Sequence, residues 1–246
     1  MSLISQIAAA YREGKKPRDI LWNRFAARPV AAVLLVPLAK TRITPNQVTF
    51  LTLVVFVGAM VMLALGRGYP WLVGAVLVLE LSYVLDCVDG QLARMRHRSS
   101  AVGAHLDFLM DELKAFLLVA ACGIRLWRSD GQELWLIEAL LGLAVVASAI
   151  SLTTFMRRPE FLAATGSPRP VTAGDYGDGF AAAPAKATSM LGLVEDLGRF
   201  LIHYPSYILF VALADQLDVF LHVYLAVNAA YAGRSLLSVM WKLGRS

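Results

Sequence analysis

Asp86-Cys87-Val88-Asp89-Gly90-Gln91-Leu92-Ala93-Arg94, eight further residues, and then Gly103-Ala104-His105-Leu106-Asp107-Phe108-Leu109-Met110-Asp111 decide the reading of this chain. Four carboxylates lie within or at the ends of apolar runs, where a charge is costly unless something compensates it. On a helix, Asp86 and Asp89 are spaced i, i+3, and Asp107 and Asp111 i, i+4, so each pair shares a face. At about 100° per residue, Asp86, Asp89, Gly90 and Ala93 fall in one narrow sector. Two helices that each present a carboxylate pair make a cage of hard oxygen ligands, suited to Mg²⁺, Mn²⁺ or Ca²⁺. Gly90 and Ala93 leave a trough beside the acids in which a flat ligand can approach the backbone.

Around this stretch the chain is strongly apolar. It has 246 residues, of which 58% are hydrophobic, and a mean hydropathy of +0.60. That composition predicts a polytopic membrane protein. The first 20 residues lack the apolar core and small-residue cleavage site of a secretory signal. Cys87 and Cys122 are too few for a disulfide framework or zinc site and read as small core residues. The net charge of +5 points to anionic lipid surfaces, and no nucleic-acid motif or internal repeat is present.

The predicted architecture is an all-α integral membrane protein. It is a six-transmembrane-helix bundle preceded by an N-terminal amphipathic interfacial helix. Residues 1–42 form the juxtamembrane segment: basic residues alternate with Ile4, Ile7, Ala8 and Tyr11, then with Ile20, Leu21, Phe25 and Val30, at helical spacing. Val30–Leu38 is too short to span and, bracketed by Pro29 and Pro37, reads as an interfacial elbow. Residues 43–246 form the six-helix transmembrane domain. Thr44 caps the first span, with Pro45 in its first turn, and the span runs to about Leu65. The second runs from Trp71 to about Arg96, the third from about Ala101 to Leu126, and the fourth from about Leu134 to Met156. A long Pro-, Gly- and Ala-rich loop covers 157–186. The fifth span lies at about Phe200 to Leu213 and the sixth at Val219 to about Leu243. Lys and Arg gather in the N-terminal region, after spans two and four, and in the tail. By the positive-inside rule both termini and the acids then face the cytoplasm, at a cytoplasmic or inner membrane.

The spacing D-x2-D-G-x2-A-R-x8-G-x3-D-x3-D, with eight fixed positions, resembles the signature of the CDP-alcohol phosphotransferases. The resemblance extends to the Thr44-Pro45-Asn46 start of span one. It implies transfer of a substituted phosphoryl group from a CDP-linked donor, most simply CDP-diacylglycerol, to an alcohol hydroxyl with release of CMP, in phospholipid biosynthesis. It implies Asp86, Asp89 and Asp107 as ligands of Mg²⁺ or Mn²⁺ in a two-metal site. Asp111 would be both fourth ligand and general base. For the CDP moiety it implies Arg94 against the pyrophosphate and Gly90 and Ala93 for close approach of the cytidine. Gly103 would allow the two helices to meet, and Thr44 and Asn46 line the nucleotide pocket or simply cap and pack.

On the acceptor side, Arg157, Arg158, Arg199 and Arg234 gather at one membrane face. Their placement is similar to that in the phosphatidylinositol-phosphate synthase branch, where basic residues hold a phosphorylated inositol. Arg234 is expected to be buried within the last span. Glu112 and the long 157–186 loop depart from common members and leave the acceptor open between an inositol phosphate and another polar alcohol. Homodimerisation is usual in the family. Two other readings stand beside this one. The first is transfer from a soluble CDP-alcohol to a lipid hydroxyl. The second is a divalent-cation transporter, disfavoured because its site would lie near the bilayer midplane rather than at one edge.

Overall fold

The structure is a computed structural model that describes residues 2–14, 22–166, 200–201 and 203–244. Among these residues it is all helical, with no strand. In chain order there follow α1 (Leu3–Gly14), a π-helical turn (Asn23–Ala27), α2 (Arg28–Ala39), α3 (Pro45–Leu65), α4 (Tyr69–Met95) and α5 (Ala101–Asp130). Then come α6 (Leu134–Met156), α7 (Pro159–Thr165), a 3₁₀ turn (Tyr204–Ser206), α8 (Ile208–Leu213) and α9 (Leu217–Leu243).

Local chemistry sets the helix ends. Thr44 Oγ1 accepts from Gln47 N–H (3.3 Å) while Gln47 Oε1 accepts from Thr44 N–H (2.9 Å). This reciprocal pair opens α3 with Pro45 in its first turn, where a missing N–H costs nothing. Ser100 caps α5 by accepting from Gly103 N–H at 3.0 Å. α5 runs four residues past Leu126 and stops at Gly131, whose φ of +77° suits the left-handed residue that ends a helix. Beyond it, Asp130 accepts from Trp135 Nε1 (2.8 Å) and Gln132 N–H (3.0 Å). These donors hold its carboxyl below the usual range.

Among the described residues three helices, α3, α4 and α6, are long and apolar enough to cross a membrane. At 1.5 Å per residue the 21 residues of α3 reach about 32 Å, the thickness of a bilayer's hydrocarbon core. α5 (30 residues) and α9 (27 residues) are longer still, but α5 carries Asp107, Asp111, Glu112, Lys114, Arg125 and Arg128.

Packing joins α3, α4 and α5, with α6 laid on α5 and α9. The main core runs through Phe56, Leu63, Leu79, Leu118, Phe220 and Leu221. A second cluster packs α1 and α2 onto α4 through Ala31, Leu35, Val84, Val88 and Leu92. α5 and α6 approach closely at Gly123, where an added Cβ would lie 2.3 Å from Ala139 Cβ. Two arginines tie loops to helices. Arg125 donates to the carbonyls of Leu63 (3.4 Å) and Gly66 (3.2 Å), at the end of α3, and of Gly68 (2.9 Å), at the head of α4. At the opposite end, Arg96 donates to the carbonyls of Leu38 (3.2 Å), Ala39 (3.2 Å), Thr41 (2.7 Å) and Ile43. It thereby fixes the turn that delivers Thr44 to the head of α3.

Two sequence expectations are corrected here. Val30–Leu38 is part of a regular helix, α2, that packs on α4. Pro29 sits in its first turn, where proline is tolerated, and Pro37 lies inside its last turn, where it removes one backbone hydrogen bond. Phe200–Leu213 is not one helix: Pro205, which has no N–H to give, lies in a 3₁₀ turn, and α8 that follows has only six residues. This turn docks on α4, where Tyr83 Oη meets His203 Nε2 (2.7 Å) and Asn23 Oδ1.

Candidate active site

Successive helices run up and down, so the start of α3, the end of α4, the start of α5 and the end of α6 share one end of the bundle. There α4 presents Asp86 and Asp89, and α5 presents Asp107. One carboxylate oxygen from each lies within 4.8 Å of the others. Asp89 is buried, with 6% of its surface exposed, and Asp86 and Asp107 are half-buried. Three carboxylates so close repel one another unless a cation sits among them. A hard divalent ion with oxygen bonds of about 2.0–2.6 Å has a coordination sphere about 4–5 Å across, which this trio fits.

Two groups that the sequence reading did not single out complete the cage. Thr49, one turn into α3, donates its hydroxyl to Asp89 Oδ2 at 2.6 Å. Such a bond fixes the carboxylate's orientation. Lys114 is 4% exposed and pairs with both Asp86 Oδ1 and Asp111 Oδ1, the latter at 3.0 Å. The signal for Lys114 was available: it follows Asp107 and Asp111 by seven and three residues, on the same helical face. Thr49 had no such signal, because it reaches Asp89 across 40 positions of sequence.

Asp111, expected as a fourth ligand, stands outside the trio. It is drawn to Lys114 one turn on, and its side chain is 51% exposed. It therefore faces the open side of the cage, while Asp89 closes the inner side. Gly90 is unencumbered except by Arg94, whose Nη1 would lie 3.4 Å from an added Cβ. Arg94 is exposed and Ala93 half-buried on the same helix. Gly103 does not serve the meeting of α4 and α5. The atoms nearest to an added Cβ are Ser100 Oγ (3.2 Å) and Asn46 Oδ1 (3.8 Å). It thus lets the head of α5 lie beside the head of α3, which places Asn46 next to the motif; Thr44 is engaged as the helix cap.

Three of the four arginines lie among the described residues. Arg157, at the end of α6, lies over the Phe108 ring at 4.5 Å. Phe108 is on α5, so this guanidinium lies at the same end of the bundle as the cage, on the α5 face that carries Phe108 and Glu112. Nearby, Thr154 Oγ1 donates to Glu112 Oε1 at 3.2 Å. Arg158 is exposed at the same end. Arg199 lies outside the described residues. Arg234 is on an exposed face of α9, not buried within the helix bundle as expected. Its long stem lets the charge stay on the surface. Glu80, deeper in α4, accepts from Trp22 Nε1 at 3.3 Å and takes no part in the cage.

A trio of carboxylates on α4 and α5 that could hold a metal ion, beside helices long and apolar enough to cross a membrane, is the arrangement of a membrane protein. The CDP-alcohol phosphatidyltransferase family matches residues 42–194, and the chain belongs to it. Three curated relatives are similar over part of their length. The bifunctional IPC transferase and DIPP synthase of Aquifex aeolicus is 32% identical over 45% of this chain and 25% of its own. The inner membrane protein YnjF of Escherichia coli is 35% identical over 43% of this chain and 49% of its own. The phosphatidylinositol phosphate synthase of Corynebacterium glutamicum is 29% identical over 56% of this chain and 58% of its own. The alignments thus span from a quarter to under two thirds of these relatives.

Proposed function

We propose that this protein is a phosphotransferase that moves a phosphatidyl group from CDP-diacylglycerol to a polar alcohol and releases CMP. The observation that carries the reading is the convergence of Asp86, Asp89 and Asp107 within 4.8 Å inside the region matched by the family. Mg²⁺ or Mn²⁺ fits the all-oxygen donor set and would neutralise charge on the donor's pyrophosphate. Thr49 orients Asp89. Arg94, exposed beside Gly90, meets the pyrophosphate, and the Gly90–Ala93 trough receives the cytidine, with Asn46 and the Thr44 cap at its edge. Asp111 is placed to take the proton of the acceptor hydroxyl, since its carboxylate faces the open side while Lys114 holds one oxygen.

A phosphorylated alcohol, such as an inositol phosphate, is the acceptor we favour. Support comes from Arg157, which lies over Phe108 at the same end of the bundle as the cage, with Arg158 exposed beside it. The relatives whose names include phosphatidylinositol phosphate synthase and DIPP synthase point the same way. Arg199 and the surface Arg234 stand as additional basic residues for an acceptor or lipid phosphate.

The catalytic domain comprises residues 43–246, with α5, the segment ending in α8 and α9 adding to the three apolar spans. Residues 1–42 form a collar at the membrane surface. The α1 residue Ile4 is 80% exposed, as expected of a side chain that meets lipid. The site end carries Lys40, Arg42, Arg96, Arg98, Arg157 and Arg158. At the far end Arg67, Arg125 and Arg128 are offset by Asp130, Glu133, Asp215 and Asp218. This asymmetry supports a cytoplasmic site and cytoplasmic termini. A homodimer rests on the family alone.

Inside-out membrane vesicles test function and sidedness together. With CDP-diacylglycerol in the bilayer and inositol phosphate in the medium, they are expected to release CMP outward, and sealed right-side-out vesicles are not. Release that requires no CDP-linked lipid, or that occurs only with a soluble CDP-alcohol, overturns the assignment of the donor. Metal flux across the vesicle without CMP release would favour a transporter.

A further inference from the structure

Lys114 is a buried ammonium whose place in the cage the reaction proposed above does not require. It lies on α5 one turn past Asp111 and two turns past Asp107, on the helix face that also buries Met110 and Leu118. Its ammonium reaches Asp86 Oδ1 and, at 3.0 Å, Asp111 Oδ1. It therefore bridges one carboxylate of α4 to one of α5. A second divalent ion paired with one at Asp86, Asp89 and Asp107 would have to share Asp86 and enlist Asp111, the two groups that Lys114 holds. At 4% exposure the ammonium is not placed to withdraw into water, and a buried cation stripped of both its anions is strongly unfavourable.

We propose that Lys114 is a built-in cation that takes the position of a second metal, so that the cage binds one divalent ion and Asp111 stays free of metal. This rests on the reading of Asp86, Asp89 and Asp107 as a cation site. It departs from the two ions that the motif alone suggests. Asp111 is then held by a side chain rather than an exchangeable ion, and its second oxygen remains available to the acceptor.

Counting Mn²⁺ on the full chain in detergent, after chelation and without any nucleotide, tests this. Equilibrium titration followed by electron paramagnetic resonance gives number and spacing together, since two ions about 3.5–4 Å apart couple magnetically. The wild type is expected to bind one Mn²⁺ per chain with an uncoupled spectrum. Lys114→Arg keeps one, and Lys114→Met, similar in volume but neutral, admits a second, coupled ion. A coupled pair in the wild type overturns the proposal and leaves the cage reading intact. So does a Lys114→Met variant that still binds a single ion. No Mn²⁺ on the wild type overturns the cage reading and this proposal with it. The wild-type count stands alone if the methionine variant fails to fold.

Discussion

Asp89→Asn, Asp86→Asn and Asp107→Asn are each expected to lower CMP release more than a hundredfold at saturating Mg²⁺ or Mn²⁺, with the helical content of the detergent-solubilised protein unchanged. The three carboxylates supply the close oxygens of the cage, so each replacement removes a negative charge and a ligand together. Loss of an outer partner of a metal ligand typically costs about 10–100-fold, and loss of a ligand itself should exceed that. The same scale gives an internal control. Thr49→Val removes only the hydroxyl that donates to Asp89 at 2.6 Å. Its effect should fall within about 10–100-fold and shrink as metal is raised. Steady-state rates over a metal titration check the series. An aspartate variant that retains normal turnover at limiting metal would remove that residue from the cage.

Gly123→Ala should destabilise the fold by about 1–3 kcal/mol, the usual cost of forcing a methyl into a packed contact. The new Cβ would stand 2.3 Å from Ala139 Cβ and 3.1 Å from the Trp135 carbonyl, so α5 and α6 must part. Ala139→Gly removes the closer obstacle and should restore part of the loss when combined with it. Thermal unfolding in detergent of the two single variants and the double variant measures this coupling. Simple additivity would contradict the α5–α6 contact, which holds Arg157 of α6 against Phe108 of α5.

What the sequence made legible was mostly local. The Thr44-Pro45 cap and the polar breaks at Gly66 and Glu133 delimited α3 and α6, because capping and apolar run length act over a few residues. The motif spacing brought Asp86, Asp89 and Asp107 to one site, because helix periodicity on two neighbouring helices suffices for that. The rest depended on partners distant in sequence. Thr49 meets Asp89 only once α3 lies against α4. Gly103 faces Asn46 rather than α4, because the heads of α3 and α5 adjoin. Lys114 shares a helical face with Asp111, but its second acidic partner, Asp86, appears only when α4 and α5 come together. Phe200–Leu213 is apolar enough to suggest a span, yet Pro205 interrupts its backbone bonding, and the turn is held by His203 and Tyr83 instead.

The central claim is that the carboxylates of α4 and α5 hold a divalent ion that in turn holds the CDP pyrophosphate. Binding of CDP to the detergent-solubilised protein, measured calorimetrically with Mn²⁺ and again with excess chelator, tests it most directly. Saturable binding in Mn²⁺ that is lost both in chelator and in Asp89→Asn is the result predicted. CDP binding of equal affinity with and without metal would contradict it.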